Sequence, residues 1–350
     1  VSRKKFDLRR YIPVLTVAVG MIGLVFIVVD WRQIRDALTQ ASWKPIPYAL
    51  VATVISYTCI SLNFALLSKL MGVNMRWRDL SVVGFVSIVL NHLVSGGGAA
   101  GYSVRFMMMH RHGVSMREVV TISILHFLLT SLIMIVTLPV GLVYLGLNAS
   151  LSQTTIILLG IAALLLVLLT LLAMCLVFWG TMRKKVVNVL VKVTRILFRR
   201  DVKAPMVRFE TTVGLGIQAM REHPLSMVLV MILIVTDWAF SLMALWFSFR
   251  AFEITLSPGQ AISGFVIGTV AGVASLFPGG LGIQEASMAG IFALFGISFE
   301  KAVLASILYR AVYSITPYLI SLSLYRQILR RRGSGPSSSV QEVDYENPYA

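Results

Sequence analysis

The sequence predicts an all-α polytopic membrane protein, with about six full transmembrane helices and two re-entrant helical hairpins in an inverted repeat. Three observations carry that expectation. Of the 350 residues, 57% are hydrophobic and only 13% charged, about half the charged share of a soluble domain, and the mean hydropathy is +0.83. The apolar residues come in blocks long enough to cross a bilayer. Two further blocks are interrupted by clusters of glycine.

An apolar run of about 20 residues spans the hydrocarbon core as a helix. Six stretches qualify: 12–29, 46–67, 119–145, 154–178, 225–249 and 303–325. The first follows a basic segment and runs into Asp30-Trp31-Arg32 instead of a small-residue cleavage site. It therefore reads as a retained helix and not as a signal peptide. Two regions are apolar but broken. Residues 80–94 run into Ser95-Gly96-Gly97-Gly98 and resume over 99–109; residues 260–277 run into Pro278-Gly279-Gly280-Leu281-Gly282 and resume over 283–295. Each half is too short to cross alone. Irregular backbone at membrane depth is tolerated only when buried in protein or lining a wet cavity, and two re-entrant hairpins meet that condition.

The net charge is +16. The bases lie between apolar blocks, which favours anionic lipid head groups over nucleic acid as their partner. Placing the basic amino terminus inside and returning each hairpin to its side of entry puts 25 of the 31 Lys and Arg in inside segments, five outside, and Arg310 within a helix. That is the positive-inside bias. It places both termini in the cytoplasm and the chain in a cytoplasmic (inner or plasma) membrane. Residues 1–330 form one transmembrane domain. Its linker, 181–223, contains a stretch over 183–200 that is amphipathic at helical spacing, expected along the inner surface as a lipid sensor or a plain anchor. Residues 331–350 read as a disordered tail. Cys59 and Cys175 each sit in an apolar block, which is neither a disulfide framework nor a metal set. The histidines, among them His92, His110, His112 and His126, have no zinc-binding spacing. No cofactor, metal or catalytic motif is expected.

The two broken regions resemble each other. Gly84-Phe85-Val86 matches Gly264-Phe265-Val266 at a shift of 180, and Gly113-Val114-Ser115 matches Gly296-Ile297-Ser298 at a shift of 183. The repeats run over roughly 46–145 and 225–325. By the charge-based topology they enter from opposite sides, so one hairpin reaches in from each face. Discontinuous helices meeting near the midplane are a recurrent plan for transporters. Their ends leave unpaired N–H groups that favour anions such as phosphate, and glycines such as Gly97, Gly98, Gly279 and Gly280 let backbone approach a ligand.

An ionisable group inside a spanning segment is costly and is functional or paired. Arg105, just after the first break, either holds a lipid phosphate through its planar fork or snorkels to the interface. Glu285, just after the second, pairs with an arginine, carries a proton or attracts a cationic head group; otherwise it is satisfied by local N–H groups. Arg310, preceded by Tyr309, lies one to two turns into the last helix; a Glu285–Arg310 ion pair is the expected arrangement, and Arg310 is expected to join Arg105 in binding the head-group phosphate, with Glu285 bracing the site or selecting charge and Tyr309 beside it. Asp237 is mid-helix, where a carboxylate must find a partner or be protonated; it reads either as an ion-coupling group of the binding site or as a packed, hydrogen-bonded polar residue. Asn91, before the first break, is placed to cap or brace that half-helix, and His126 can hydrogen-bond across the bundle.

Pro278-Gly279-Gly280-Leu281-Gly282-Ile283-Gln284-Glu285-Ala286, followed by Leu308-Tyr309-Arg310, resembles the signature of the flippase-like integral membrane family, the lysylphosphatidylglycerol synthase transmembrane-domain family. Asn91, a glycine-rich break and then Arg105 fit its first half. The resemblance covers nearly all of residues 10–330. It implies a protein that moves lipid from the inner to the outer leaflet, as the module in multiple peptide resistance factors does with aminoacylated phosphatidylglycerol made by an attached synthase domain. Two departures matter. Only about 20 polar residues follow residue 330, so any lipid-modifying synthase is expected to be a separate protein. The first break reads Ser95-Gly96-Gly97-Gly98-Ala99-Ala100-Gly101 in place of the relatives' Pro-Gly-x-x-Gly-Glu. The expected function is a flippase for a phosphate-bearing lipid: an aminoacyl-phospholipid, a phosphatidylglycerol-like lipid or a polyprenyl-phosphate-linked one. A homo-oligomer is compatible with this. The alternatives are an intramembrane transferase acting on a lipid-linked substrate and a non-transporting accessory subunit.

Overall fold

The computed structural model of the chain describes residues 35–36, 38–93, 99–182, 223–275 and 278–330, with scattered residues between 183 and 222. The expected first helix (12–29), most of the amphipathic linker, the first glycine break with Gly97 and Gly98, and the tail lie outside the described residues.

The described chain folds as α1 (Ile46–Leu70), α2 (Trp77–Leu93), α3 (Ala99–His110), α4 (Met116–Asn148), α5 (Gln153–Phe178), α6 (Pro224–Arg250), α7 (Pro258–Ala274), α8 (Ile283–Leu294) and α9 (Phe299–Arg310). A π-helical segment, Ala311–Ile315, joins α9 to α10 (Thr316–Arg330). Five apolar helices among the described residues are long enough to cross a membrane: α1, α4, α5, α6 and the run Phe299–Ser323. The fold is all-α, polytopic and membrane-integral.

The pattern of helix lengths occurs twice. Helices of 25, 17, 12 and 33 residues (α1 to α4) are followed, after α5 and the linker, by helices of 27, 17 and 12 residues (α6 to α8) and the long run beginning at Phe299. The corners repeat as well. Gly72, Gly113 and Gly296 have φ of 82°, 82° and 83°, and Glu253 takes the same left-handed region at 61°. After each, the next residue donates back to the carbonyl five residues earlier, as in Val114 to Met109 and Ile297 to Phe292. This is the Schellman stop, which satisfies carbonyls that the helix end leaves open. The corner residues Gly72 and Glu253, and Gly113 and Gly296, are 181 and 183 positions apart. Both long helices after the short pairs start on Ser: Ser115 forms a capping box with Glu118, and Ser298 Oγ donates to Glu300.

Packing follows the small residues. Helix α1 lies along α6, α2 folds back on α3, and α7 on α8. The α7–α8 seam is made by Gly264, Gly268 and Gly272, four residues apart on one face. A methyl group there would lie 2.2 Å from the Phe292 ring, 2.3 Å from Met288 and 3.0 Å from Gln284. Such small-residue seams let helix backbones approach closely in membranes. One buried cluster joins α1, α6, α7, α8 and α9, including the Phe249–Phe292 ring pair at 4.5 Å; a second, with Phe64, Leu80, Met109 and Ile122, ties α1 to α4. Outside this core α5 leans on α4 and exposes Leu158, Leu164, Leu165 and Leu168. In water such a surface is an aggregation hazard; against acyl chains it is solvated.

Candidate functional site

The second break is held by one arginine. Pro278–Gly280 forms a single 3-10 turn in which Gly279 has φ 66°, a left-handed conformation that strains a side-chain-bearing residue. This turns the Gly279 carbonyl toward Arg310, whose Nη1 donates to it at 2.8 Å, while Nη2 donates to Gln284 Oε1 at 2.8 Å and Nε to Glu285 Oε1. Glu285 Oε2 in turn accepts from the Gly282 N–H at 2.7 Å. Glu285 therefore caps the start of α8 and pairs with Arg310 at once. Both residues are 8% exposed. Arg310 is a clamp: each of its three nitrogens is committed to the glycine turn or to the first turn of α8.

Arg310 lies deeper than its apolar block indicates. It is the last of 12 residues of α9, about three turns in at 3.6 residues per turn, instead of one to two. The helix starts in its polar cap, with Ser298 as N-cap and Glu300 in the first turn, and the continuous apolar run begins only at Ala302 and Val303. The π segment follows immediately and places Tyr313 and Ser314 on the cavity side; π-helical turns inside longer helices frequently mark functional sites.

The first break is braced differently. Asn91, in the last turn of α2, accepts the Gly101 N–H at 2.8 Å, satisfying one of the donors that the start of α3 leaves free. The approach depends on glycine, because a Cβ at residue 101 would lie 2.3 Å from the Ser87 carbonyl oxygen. One turn on, Arg105 is 4% exposed. Its Nε donates to Ser87 Oγ at 2.8 Å, and its guanidinium carbon sits 4.5 Å from the centre of the Phe64 ring. Of five guanidinium N–H groups, the four on Nη1 and Nη2 have no acceptor among the described residues.

Asp237, halfway along α6, accepts the Ser56 hydroxyl at 2.5 Å, and Ser56 Oγ is 2.8 Å from the Tyr313 hydroxyl. Among the described residues Asp237 has no cationic partner. Beside it, Tyr57 bonds His92 Nδ1 at 2.8 Å, and Tyr309 stacks on Tyr313 with centroids 5.2 Å apart.

These groups meet in one cavity of about 340 Å³. Of the residues singled out from sequence, Asn91, Arg105, Asp237, Gly279, Gly280, Tyr309 and Arg310 line it, while Glu285 stands behind Arg310. Sequence reasoning gave no role to His92, Trp238, Gln284 or Tyr313, and overlooked Ser56 and Ser87. The clue available was polarity inside apolar blocks: Ser56-Tyr57 in α1 and Trp238 next to Asp237. Trp238 Nε1 and His126 Nε2 belong to lining residues and are buried without a hydrogen-bond partner among the described residues. The rim includes Phe127 and Val273, 67% and 61% exposed, so the hollow reaches the lipid-facing surface between α4 and α7.

The family model described as the lysylphosphatidylglycerol synthase TM region matches residues 13–321. The chain belongs to that family. It is also similar to a UPF0104 membrane protein of Methanothermobacter thermautotrophicus, 35% identical over 72 residues, a stretch that is 21% of this chain and 22% of that protein.

Proposed function

We propose that this member of the lysylphosphatidylglycerol synthase TM-region family moves a phosphate-bearing lipid between the two leaflets of a bilayer. The observation that carries the reading is Arg105: a buried guanidinium on the wall of a cavity that opens toward lipid, with four N–H groups uncommitted among the described residues. A planar cation with paired donors matches phosphate oxygens. At about 340 Å³ the cavity lies at the lower end of ligand-site sizes, roughly 300–1,000 Å³. It takes a head group, and the acyl chains stay in the bilayer past Phe127 and Val273.

Arg105 binds the phosphate in this reading, with Trp238 Nε1 a further donor, and Asn91 and Gly101 hold α3 in place. Arg310 and Glu285 fix the opposite wall. The two helix repeats enter from opposite faces, with both termini on the cytoplasmic side of a cytoplasmic membrane. Aminoacyl-phospholipids, phosphatidylglycerol-like lipids and polyprenyl-phosphate-linked lipids all present the required group. A separate synthase would supply an aminoacylated one, and a homo-oligomer is compatible with the exposed apolar face of α5.

The test is exchange of tail-labelled lipids in proteoliposomes. Phosphatidylglycerol should exchange in the wild type. Each charge-assisted hydrogen bond contributes about 1.5–3 kcal/mol, so Arg105→Gln should slow that exchange at least tenfold. Labelled diacylglycerol-type lipid without phosphate is the control for protein-dependent leakiness. Equal rates for wild type and Arg105→Gln would remove the basis of the proposal.

A further inference from the structure

Arg105 and Asp237 carry opposite charges into the same cavity, yet among the described residues they form no ion pair with each other or with any third group. With both ionised, the pocket has no net charge from these two. A phosphate monoanion entering on Arg105 then leaves one uncompensated negative charge in a low-dielectric site, which is expensive. Binding one proton at Asp237 cancels it. The geometry provides for that proton. Asp237 Oδ1 accepts from Ser56 Oγ at 2.5 Å. Because Ser56 has one hydrogen, which it gives to Asp237, the Tyr313 hydroxyl 2.8 Å away donates to Ser56. The chain Tyr313–Ser56–Asp237 runs entirely toward an ionised carboxylate. On protonation at Oδ1 it can reverse, with the carboxyl O–H donating to Ser56 and Ser56 to Tyr313. Asp237 lines the cavity and is only part-buried, so a proton has a route from cavity water.

We propose that Asp237 is a proton-binding site that couples lipid movement to a proton moving in the same direction. This rests on the reading that Arg105 takes a lipid phosphate. The Asp237 carboxylate accepts a proton from cavity water to form a carboxyl O–H. The loaded cavity, with phosphate on Arg105 and neutral Asp237, is then balanced in charge. When the cavity opens to the other face, lipid leaves and the O–H bond gives its proton back to water. Proton and phosphate each favour binding of the other, as linkage requires.

The groups packed around Asp237 leave it this role. From α1, Tyr57 and Cys59 face it; from α9 and the π segment, Tyr309 and Tyr313. At neutral pH these carry no charge. Arg310 of α9 is already paired with Glu285, and α7 contributes no titratable residue. His126 of α4 and His92 of α2, which share the cavity, are the other groups able to titrate, and the experiment includes both.

The full chain is reconstituted in phosphatidylcholine vesicles holding tail-labelled phosphatidylglycerol, with an imposed gradient of about one pH unit. One unit is a tenfold ratio of proton activity, so one proton per lipid drives the label toward a ratio of about tenfold in favour of the leaflet facing the alkaline compartment. Asp237→Asn should exchange label but end at equal leaflets, while Asp237→Glu, His92→Gln and His126→Gln keep the asymmetry. Wild-type exchange that ends at equal leaflets overturns the proposal, as does loss of asymmetry in a histidine variant with Asp237→Asn unaffected. If the wild type exchanges no lipid, the transport reading itself fails. The proton site is then judged by the infrared difference between wild type and Asp237→Asn across about pH 5–9. A carboxylic C=O band that comes and goes supports it; a spectrum constant over that range overturns it.

Discussion

Replacing Arg310 by Met should be among the most damaging single changes in the molecule, and the structure says by how much. Three acceptors lose their donor together: Glu285 Oε1, the Gly279 carbonyl and Gln284 Oε1. Glu285, 8% exposed, would keep only the Gly282 N–H. Removing one partner of a buried ion pair costs about 3–5 kcal/mol, chiefly because the other charge is left behind. Glu285→Gln is milder. It strands the Arg310 charge in turn, but its amide oxygen can still accept from Arg310 or from Gly282 and Arg310 keeps its bonds to Gly279 and Gln284, so the loss is at the lower end of that range, about 3 kcal/mol. The double variant leaves no stranded charge and should cost less than the two singles added, with a coupling of about 1–3 kcal/mol. Equilibrium unfolding in mixed micelles, followed by tryptophan fluorescence while the denaturing detergent fraction is raised, measures all four proteins under one protocol. A double variant equal to the sum of the singles, or Arg310→Met within about 1 kcal/mol of wild type against the expected buried-pair loss, would refute the clamp.

Three further outcomes are expected. Gly101→Val puts a Cβ 2.3 Å from the Ser87 carbonyl and 2.4 Å from Asn91 Oδ1; overpacking of this kind costs about 1–3 kcal/mol, and because Arg105 is one turn further on α3, phosphatidylglycerol exchange in vesicles should fall with stability. Gly268→Leu drives a side chain into Met288 across the α7–α8 seam and should lower the unfolding midpoint in the same micelle titration by a comparable amount, about 1–3 kcal/mol. Ser115→Ala removes the capping box at the start of α4, where Ser115 Oγ and Glu118 satisfy each other's neighbouring N–H groups; the loss should be about 0.5–2 kcal/mol, with lipid exchange at moderate temperature unchanged, since Ser115 is far along α4 from His126 and Thr130.

Much of this fold is legible in the sequence because a bilayer leaves little choice. Residues 46–67 and 225–249 read as spans and appear as α1 and α6, a few residues longer at polar ends. The broken blocks appear as pairs of 17 and 12 residues, since a glycine cluster inside an apolar run has few other solutions at membrane depth. The Glu285–Arg310 pair was likewise foreseeable: two opposite charges in apolar segments attract at low dielectric. Hydroxyl partners were not. Ser56 reaches Asp237 across 181 positions of sequence and Ser87 reaches Arg105 across 18; a serine costs a transmembrane helix little, so its presence there announces nothing. Arg310 lies deeper than the sequence indicates for a related reason: hydropathy marks where a helix becomes apolar and not where its cap begins.

The two arginines show why a charge in a span is not evidence of one fixed role. Both are deeply buried, both follow a glycine break or face one, and both line the same cavity. Their difference is in what they already hold. Arg310 is neutralised by Glu285 and holds, through Nη1, the carbonyl of a turn whose backbone is oriented by a left-handed glycine, so an arriving phosphate would compete with bonds that maintain the wall. Among the described residues Arg105 has one hydroxyl and one aromatic face, neither of which neutralises it. A guanidinium compensated by a carboxylate has little field left for a ligand, whereas one facing only dipoles and a ring keeps most of it. The same comparison applies to the acids: Glu285 is consumed by its arginine, and Asp237 is held by a hydroxyl chain that tolerates either protonation state. The four charges thus fall into a locked pair behind one wall and two groups, Arg105 and Asp237, that face the cavity with no ion pair among the described residues, and the proposed binding and release rests on the second pair.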